Sequence, residues 1–206
     1  MKICIIDYGT GNIKAFKNIY DKLNVDVEIA SRKDQLVNAT HLILPGVGAF
    51  DWAISRLNES GLRQTLDMLV LEKKVPILGV CVGMQIMASE SEEGVLSGLK
   101  WIEGKVLKFN KKIILPHMGW NSIKPLIKSN LFSNIENHEF YFLHSYYYKT
   151  KYLIEEVGLD IDDLIVCIDI SDIQNELVYQ DFEPSEKGAE WKPGYRLKKF
   201  LKNNSI

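Results

Sequence analysis

The sequence predicts an α/β fold: a mostly parallel sheet, with antiparallel strands added in the C-terminal half. Three observations lead there. Apolar strand-like runs alternate with amphipathic helical segments through the first half of the chain. From about Lys100 the texture changes to short β-rich pieces. The composition, 46% hydrophobic and 25% charged, is that of a globular chain with a full core. At 206 residues, without repeat, linker or low-complexity tract, one domain spanning 1–206 is expected.

Lys2–Asp7 is a short β-rich run. It ends in the loop Tyr8-Gly9-Thr10-Gly11-Asn12, after which Ile13, Phe16, Ile19, Tyr20 and Leu23 recur at helical steps. Val25–Ala30 and His41–Leu44 read as the second and third strands, the latter stopped by Pro45-Gly46-Val47-Gly48. Trp52–Leu71 carries one long helical period, Val75–Val80 is a buried strand, and Met84–Ser89 opens another helix. Strand–helix alternation of this kind builds right-handed crossovers and parallel pairing. Lys105–Phe109, Ile113–Leu115, Glu139–Tyr148 and Leu164–Ile170 are the added strands, and Arg196–Asn203 reads as a solvated terminal helix face.

A formal net charge of -2 leaves no basic footprint for nucleic acid or anionic lipid. No run reaches the roughly 18–20 apolar residues of a membrane helix, and the N-terminus lacks a signal peptide's apolar stretch. Cys4, Cys81 and Cys167 are odd in number and lack metal-ligand spacing, which points to a reducing cytoplasm rather than a disulfide scaffold.

The sharpest motif is Gly79-Val80-Cys81-Val82-Gly83, between a strand and a helix. It has the form of a nucleophile elbow, whose flanking glycines allow a tight turn that exposes one side chain. A thiol at a helix N-terminus is favoured as thiolate, and the same N–H groups stabilise an oxyanion. Pro45-Gly46-Val47-Gly48 also follows a strand, at the sheet edge where ligands collect, and suits an oxyanion loop. Gly9-Thr10-Gly11 is a weak phosphate-loop candidate, lacking a third glycine and any Gly-Lys-Ser/Thr. A cysteine nucleophile needs a base. Of four histidines, His41 opens a strand and His138 sits in a polar loop, which leaves His117 and His144 in distinctive contexts.

Six ordered stretches carry a family resemblance: Asp7–Asn12, Leu44–Gly48 with Phe50, Leu78–Gln85, Ser91–Gly94, Pro116–Asn121 and Phe142–Tyr147. Over roughly residues 1–148 the chain resembles the glutamine amidotransferase subunit of imidazole glycerol phosphate synthase, a class I, triad-type family. The resemblance implies a flavodoxin-like core forming a single type 1 amidotransferase domain. It also implies L-glutamine as substrate, no cofactor or metal, and a heterodimer with a (β/α)8-barrel cyclase in histidine biosynthesis. Cys81 is then the nucleophile. Val47, Gly48 and Val82 form the oxyanion hole, Gln85, His144, Ser145 and Tyr146 line the glutamine pocket, and Trp120 and Asn121 face the partner.

The C-terminal quarter departs from the family's Phe-His-Pro-Glu-Lys-Ser segment. Here the chain reads Gln180-Asp181-Phe182-Glu183-Pro184-Ser185-Glu186-Lys187. Glu183 stands where the base histidine is expected, and Glu186 is nearest the orienting carboxylate. No histidine follows His144. A carboxylate with a pKa of about 4.3 is a poor proton donor to leaving ammonia and raises a neighbouring thiol's pKa. Severely impaired glutaminase activity is therefore expected, unless His144 serves as the base. Two further readings stay open: a paralogous ammonia supplier for a surface-sugar amidotransferase, to which Trp101-Ile102 leans, and a catalytically silent binding subunit.

Overall fold

Strand β1 (Ile3–Ile6) is buried along its whole length, as a strand covered on both faces must be. Because successive side chains alternate, Ile3 and Ile5 enter one core cluster and Cys4 and Ile6 the other. The computed structural model describes residues 1–109, 115–125, 139–150 and 178–180. Within these, β1 pairs in parallel with β2 (Val27–Ala30) and β3 (His41–Gly46). Strand β3 in turn pairs with β4 (Ile77–Cys81), giving a four-stranded parallel sheet in the order β2-β1-β3-β4.

Helix α1 (Ile13–Lys22) is capped by the Asn12 side chain, which accepts from the Ala15 N–H. Its apolar stripe, Ile13, Phe16, Ile19 and Tyr20, covers the Ile3–Ile5–Ile43 face. The opposite face is covered by α2 (Phe50–Glu59), α3 (Arg63–Asp67) and a π-helical turn at Met68–Glu72. The single helical period read over Trp52–Leu71 is thus divided. Gly61 takes a left-handed φ of 72° and breaks the helix, while Leu57, Leu62, Leu66 and Leu69 still bury against one core. Periodicity reports the shared apolar face and is blind to the break.

A second correction falls on Met84–Ser89. Helix α4 (Val82–Gln85) has a single turn, after which the carbonyls of Ile86, Met87 and Ala88 accept N–H groups from Leu99 to Ile102. The chain then enters β5 (Glu90–Ser91), parallel to β6 (Gly104–Lys108). Trp101 is buried here, and its indole N–H donates to Asp67 at 2.6 Å, a core role that marks no particular substrate.

The added antiparallel strands are present. β6 pairs with β9 (Tyr146–Thr150), while β7 (His117–Pro125) pairs with β8 (Glu139–His144) and with β10 (Val178–Gln180). The run read as one strand over Glu139–Tyr148 bends at Ser145. There the His144 Nδ1–H donates to the Tyr146 carbonyl at 3.0 Å. Of the expected strand Ile113–Leu115, Ile113 and Ile114 lie outside the described residues and Leu115 is in a bend. Leu164–Ile170, Arg196–Asn203, His138, Glu183 and Glu186 lie outside the described residues. Among the described residues no helix is long and apolar enough to cross a membrane.

Candidate active site

The carboxyl ends of β3 and β4 lie side by side, with Gly46 directly opposite Cys81. Cys81 turns the chain from β4 into α4 with φ 56° and ψ −122°, a conformation that costs an L-residue roughly 1–3 kcal/mol. The flanking glycines follow from close approach. A Cβ on Gly79 would lie 2.6 Å from the Met84 Cα, and one on Gly83 would lie 1.9 Å from the Leu44 carbonyl oxygen. The G-x-C-x-G pattern is therefore what lets α4 sit against both strands while Cys81 remains exposed. Replacing Cys81 by glycine is expected to stabilise the fold by about 1 kcal/mol relative to alanine, since only glycine relaxes at that φ. Equal urea midpoints for the two variants would show that the elbow is unstrained.

Although Cys81 as a residue is exposed, the walls around its sulfur desolvate the thiol and push it above its ordinary 9.0. The Val82 N–H opposes this, and the Glu93 carboxylate adds to it. The expectation that a helix N-terminus favours thiolate is thus outweighed. A one-turn helix has little dipole, and desolvation wins. Iodoacetamide labelling at residue 81, read by mass spectrometry, is expected to be slow at pH 7 and to keep rising beyond pH 9. A plateau below pH 8 would mean an activated thiolate.

Two side chains of the β1–α1 loop reach the Pro45–Gly48 segment. The Tyr8 hydroxyl donates to the Pro45 carbonyl at 2.8 Å, and the Thr10 hydroxyl to the Val47 carbonyl at 2.9 Å. Val47 is half exposed, Gly48 takes φ 93°, and Phe50 opens α2. The Phe50 N–H is bound by the Glu93 carboxylate at 2.8 Å, which supplies the cap that Ala49 lacks. Glu93 also helps hold the Tyr146 hydroxyl above its ordinary range, second to desolvation. Glu93 therefore caps α2 at hydrogen-bond distance, and its charge acts on Cys81 and Tyr146. Glu93 lies in the Ser91–Gly94 motif, which is the sequence signal for it, although no local pattern assigns it a role.

Gln85 is buried on α4, directly behind the elbow, and Val82 starts that helix. His144 faces inward, its ring against Phe109, His117 and Phe142. Burial moves its pKa down; the bond to Tyr146 opposes this, and His117 adds to the lowering. Among the described residues its buried Nε2 has no hydrogen-bond partner, Cys81 included. Ser145 offers its carbonyl to the Phe109 N–H at 3.1 Å. On the opposite face of β7–β8, Met118, Tyr141 and Leu143 are exposed. Trp120 packs edge-on to Tyr141, and Asn121 pairs with Phe140.

The sequence profile of the class-I glutamine amidotransferases matches residues 4–167. The imidazole glycerol phosphate synthase subunit HisH of Bdellovibrio bacteriovorus is 52% identical over 155 residues, covering 72% of this chain and 76% of its own length. The chain belongs to the HisH family of class-I glutamine amidotransferases. The HisH subunit of Leptospira interrogans is similar too, 50% identical over 151 residues and covering 70% of this chain and 74% of its own. A solved glutamine amidotransferase shares the fold, with a TM-score of 0.56 at 16% identity over 71% of this chain and 73% of that one. The α/β amidotransferase architecture expected from the motifs is thereby borne out. The class-I match takes in the elbow, the Pro45–Gly48 loop and the β7–β8 pair, and stops short of Glu183 and Glu186.

Proposed function

We propose that Cys81 attacks the side-chain amide carbon of L-glutamine. The sulfur–carbon bond forms, the carbon–nitrogen bond breaks, and the thiol proton leaves with the nitrogen as ammonia. Water then cleaves the γ-glutamyl thioester to glutamate and restores the thiol. Ammonia passes to a (β/α)8-barrel cyclase in histidine biosynthesis. The observation that carries this reading is the strained thiol at the end of β4, held beside a glycine loop and under the Val82 N–H.

Within it, the N–H groups of Val47, Gly48 and Val82 receive the developing oxyanion. Gln85, His144, Ser145 and Tyr146 border the glutamine, and the Glu93 carboxylate is the counter-charge for its α-ammonium. The exposed strip Met118, Leu143 and Tyr141, beside Trp120, suits the barrel partner. Cross-strand pairing of Met118 with Leu143 and of Trp120 with Tyr141 sets these large side chains next to one another. Acid quenching during turnover with the barrel cyclase present is expected to trap a γ-glutamyl adduct on residue 81, absent from Cys81→Ala. Glutamate release without any such adduct would refute the covalent route.

A second reading, a silent binding subunit, is favoured by one observation. The sequence has no histidine after His144, and among the described residues the Val82 N–H, the Glu93 carboxylate and the Tyr8 hydroxyl interact with Cys81, with no imidazole among them. It differs from the first in outcome: pull-down of the cyclase partner survives while glutamine hydrolysis is undetectable.

A further inference from the structure

We infer that Thr10 and Tyr8 are positioning residues for the oxyanion loop, so that the Gly9-Thr10-Gly11 loop braces this acyl-transfer site instead of binding phosphate. The inference rests on the proposed function, because it takes the Pro45–Gly48 loop to be the one that receives the oxyanion.

The geometry has three parts. Thr10 and Tyr8 are both buried, at 8% and 2% exposure, and each spends its hydroxyl proton on a carbonyl of the loop. Those carbonyls, of Pro45 and Val47, flank the Gly46–Val47 peptide on either side. A peptide is planar, with its C=O and N–H pointing in opposite directions. Tying the Val47 carbonyl to Thr10 therefore aims the Gly48 N–H away from Thr10, and tying the Pro45 carbonyl to Tyr8 does the same for Gly46. The intervening peptide is held from both ends, at the position opposite Cys81.

An oxyanion donor must sit within about 0.3 Å of its best distance to be worth its full effect, and glycine-rich loops do not hold such tolerances unaided. The phosphate reading loses two of its donors by the same geometry: the Gly9 N–H is already bound by Asp7 at 3.1 Å, and the Thr10 hydroxyl by the Val47 carbonyl.

The test uses the full chain and two reagents for Cys81. A chloroketone analogue of glutamine reacts by addition of the thiol to its ketone, creating an oxyanion, followed by loss of chloride as the thioether forms. Iodoacetamide loses iodide directly and creates no oxyanion. Thr10→Val removes the hydroxyl at nearly constant shape. It is expected to slow the chloroketone about tenfold, the equivalent of one hydrogen bond, and to leave the iodoacetamide rate unchanged.

Thr10→Ser restores the hydroxyl and is expected to bring the chloroketone rate back to within about twofold of the parent. Tyr8→Phe is expected to show the same split and serves if Thr10→Val does not fold. Equal slowing of both reagents, or no slowing of either, overturns the inference and leaves the proposed function standing. A parent protein that glutamine does not protect from the chloroketone overturns both.

Discussion

Glutamine turnover by this chain, measured with the partner cyclase subunit bound, is expected to run about 10³–10⁴-fold below that of family members whose base is histidine. Two protonation problems combine. The thiol starts above its ordinary pKa, through burial first and Glu93 after it, so little thiolate exists at neutral pH. The residue at the expected base position, Glu183, is a carboxylate that accepts a proton weakly and returns it to ammonia poorly.

Glu183→His is expected to recover about 10²-fold, the usual worth of a positioned general base. Recovery should stop short of the full rate, since Ser185 separates Pro184 from Glu186 and the spacing differs from the family's adjacent Pro-Glu. Residual glutamate release must vanish in Cys81→Ala. Parent turnover equal to that of histidine-bearing relatives would show that another group carries the proton. His144 is poorly placed for that task, with Nδ1 committed to the Tyr146 carbonyl and its ring packed among Phe109, Phe142 and His117.

Gly83→Ala is expected to cost about 3 kcal/mol or more, at or beyond the upper end of ordinary overpacking. The added methyl would sit 1.9 Å from the Leu44 oxygen and 2.8 Å from its carbon, so the obstruction is backbone in the middle of the sheet rather than a side chain able to swing aside. Relief requires α4 to lift from β3, which carries Cys81 away from Gly46 and the Pro45–Gly48 loop. Gly61→Ala is the control. Its φ of 72° is strained for alanine but the space is empty, so a loss of about 1 kcal/mol is expected. Urea unfolding separates the two. A Gly83→Ala midpoint indistinguishable from that of Gly61→Ala would mean that the elbow is slack.

Much of the frame was legible because it is written locally. The fully apolar Ile3–Ile6 marks a buried parallel strand, whereas the stop expected at Pro45 comes two residues too early, because Pro45 and Gly46 still pair with Val80 and Cys81 at the end of β3. Helix breaks were not legible in the same way. Trp52–Leu71 keeps one apolar face through α2, α3 and the π turn, because each piece packs on the same core. The bend at Ser145 escaped notice in an unbroken β-rich run, since either side of it is strand. Met84–Ser89 looked helical because it is apolar and short. Its carbonyls instead pair with Leu99–Ile102, a partner no local pattern announces.

The residues by themselves determined that a thiol stands on a sharp strand-to-helix turn, and that no imidazole is supplied after position 144. Spacing and a count suffice for these. Tertiary structure alone decided which way the thiol's acidity moves, that Glu93 caps α2 beside it, and that Tyr8 and Thr10 hold the neighbouring carbonyls. Those contacts join groups 37 to 43 residues apart, and strand order, not any local period, brings them within hydrogen-bond reach.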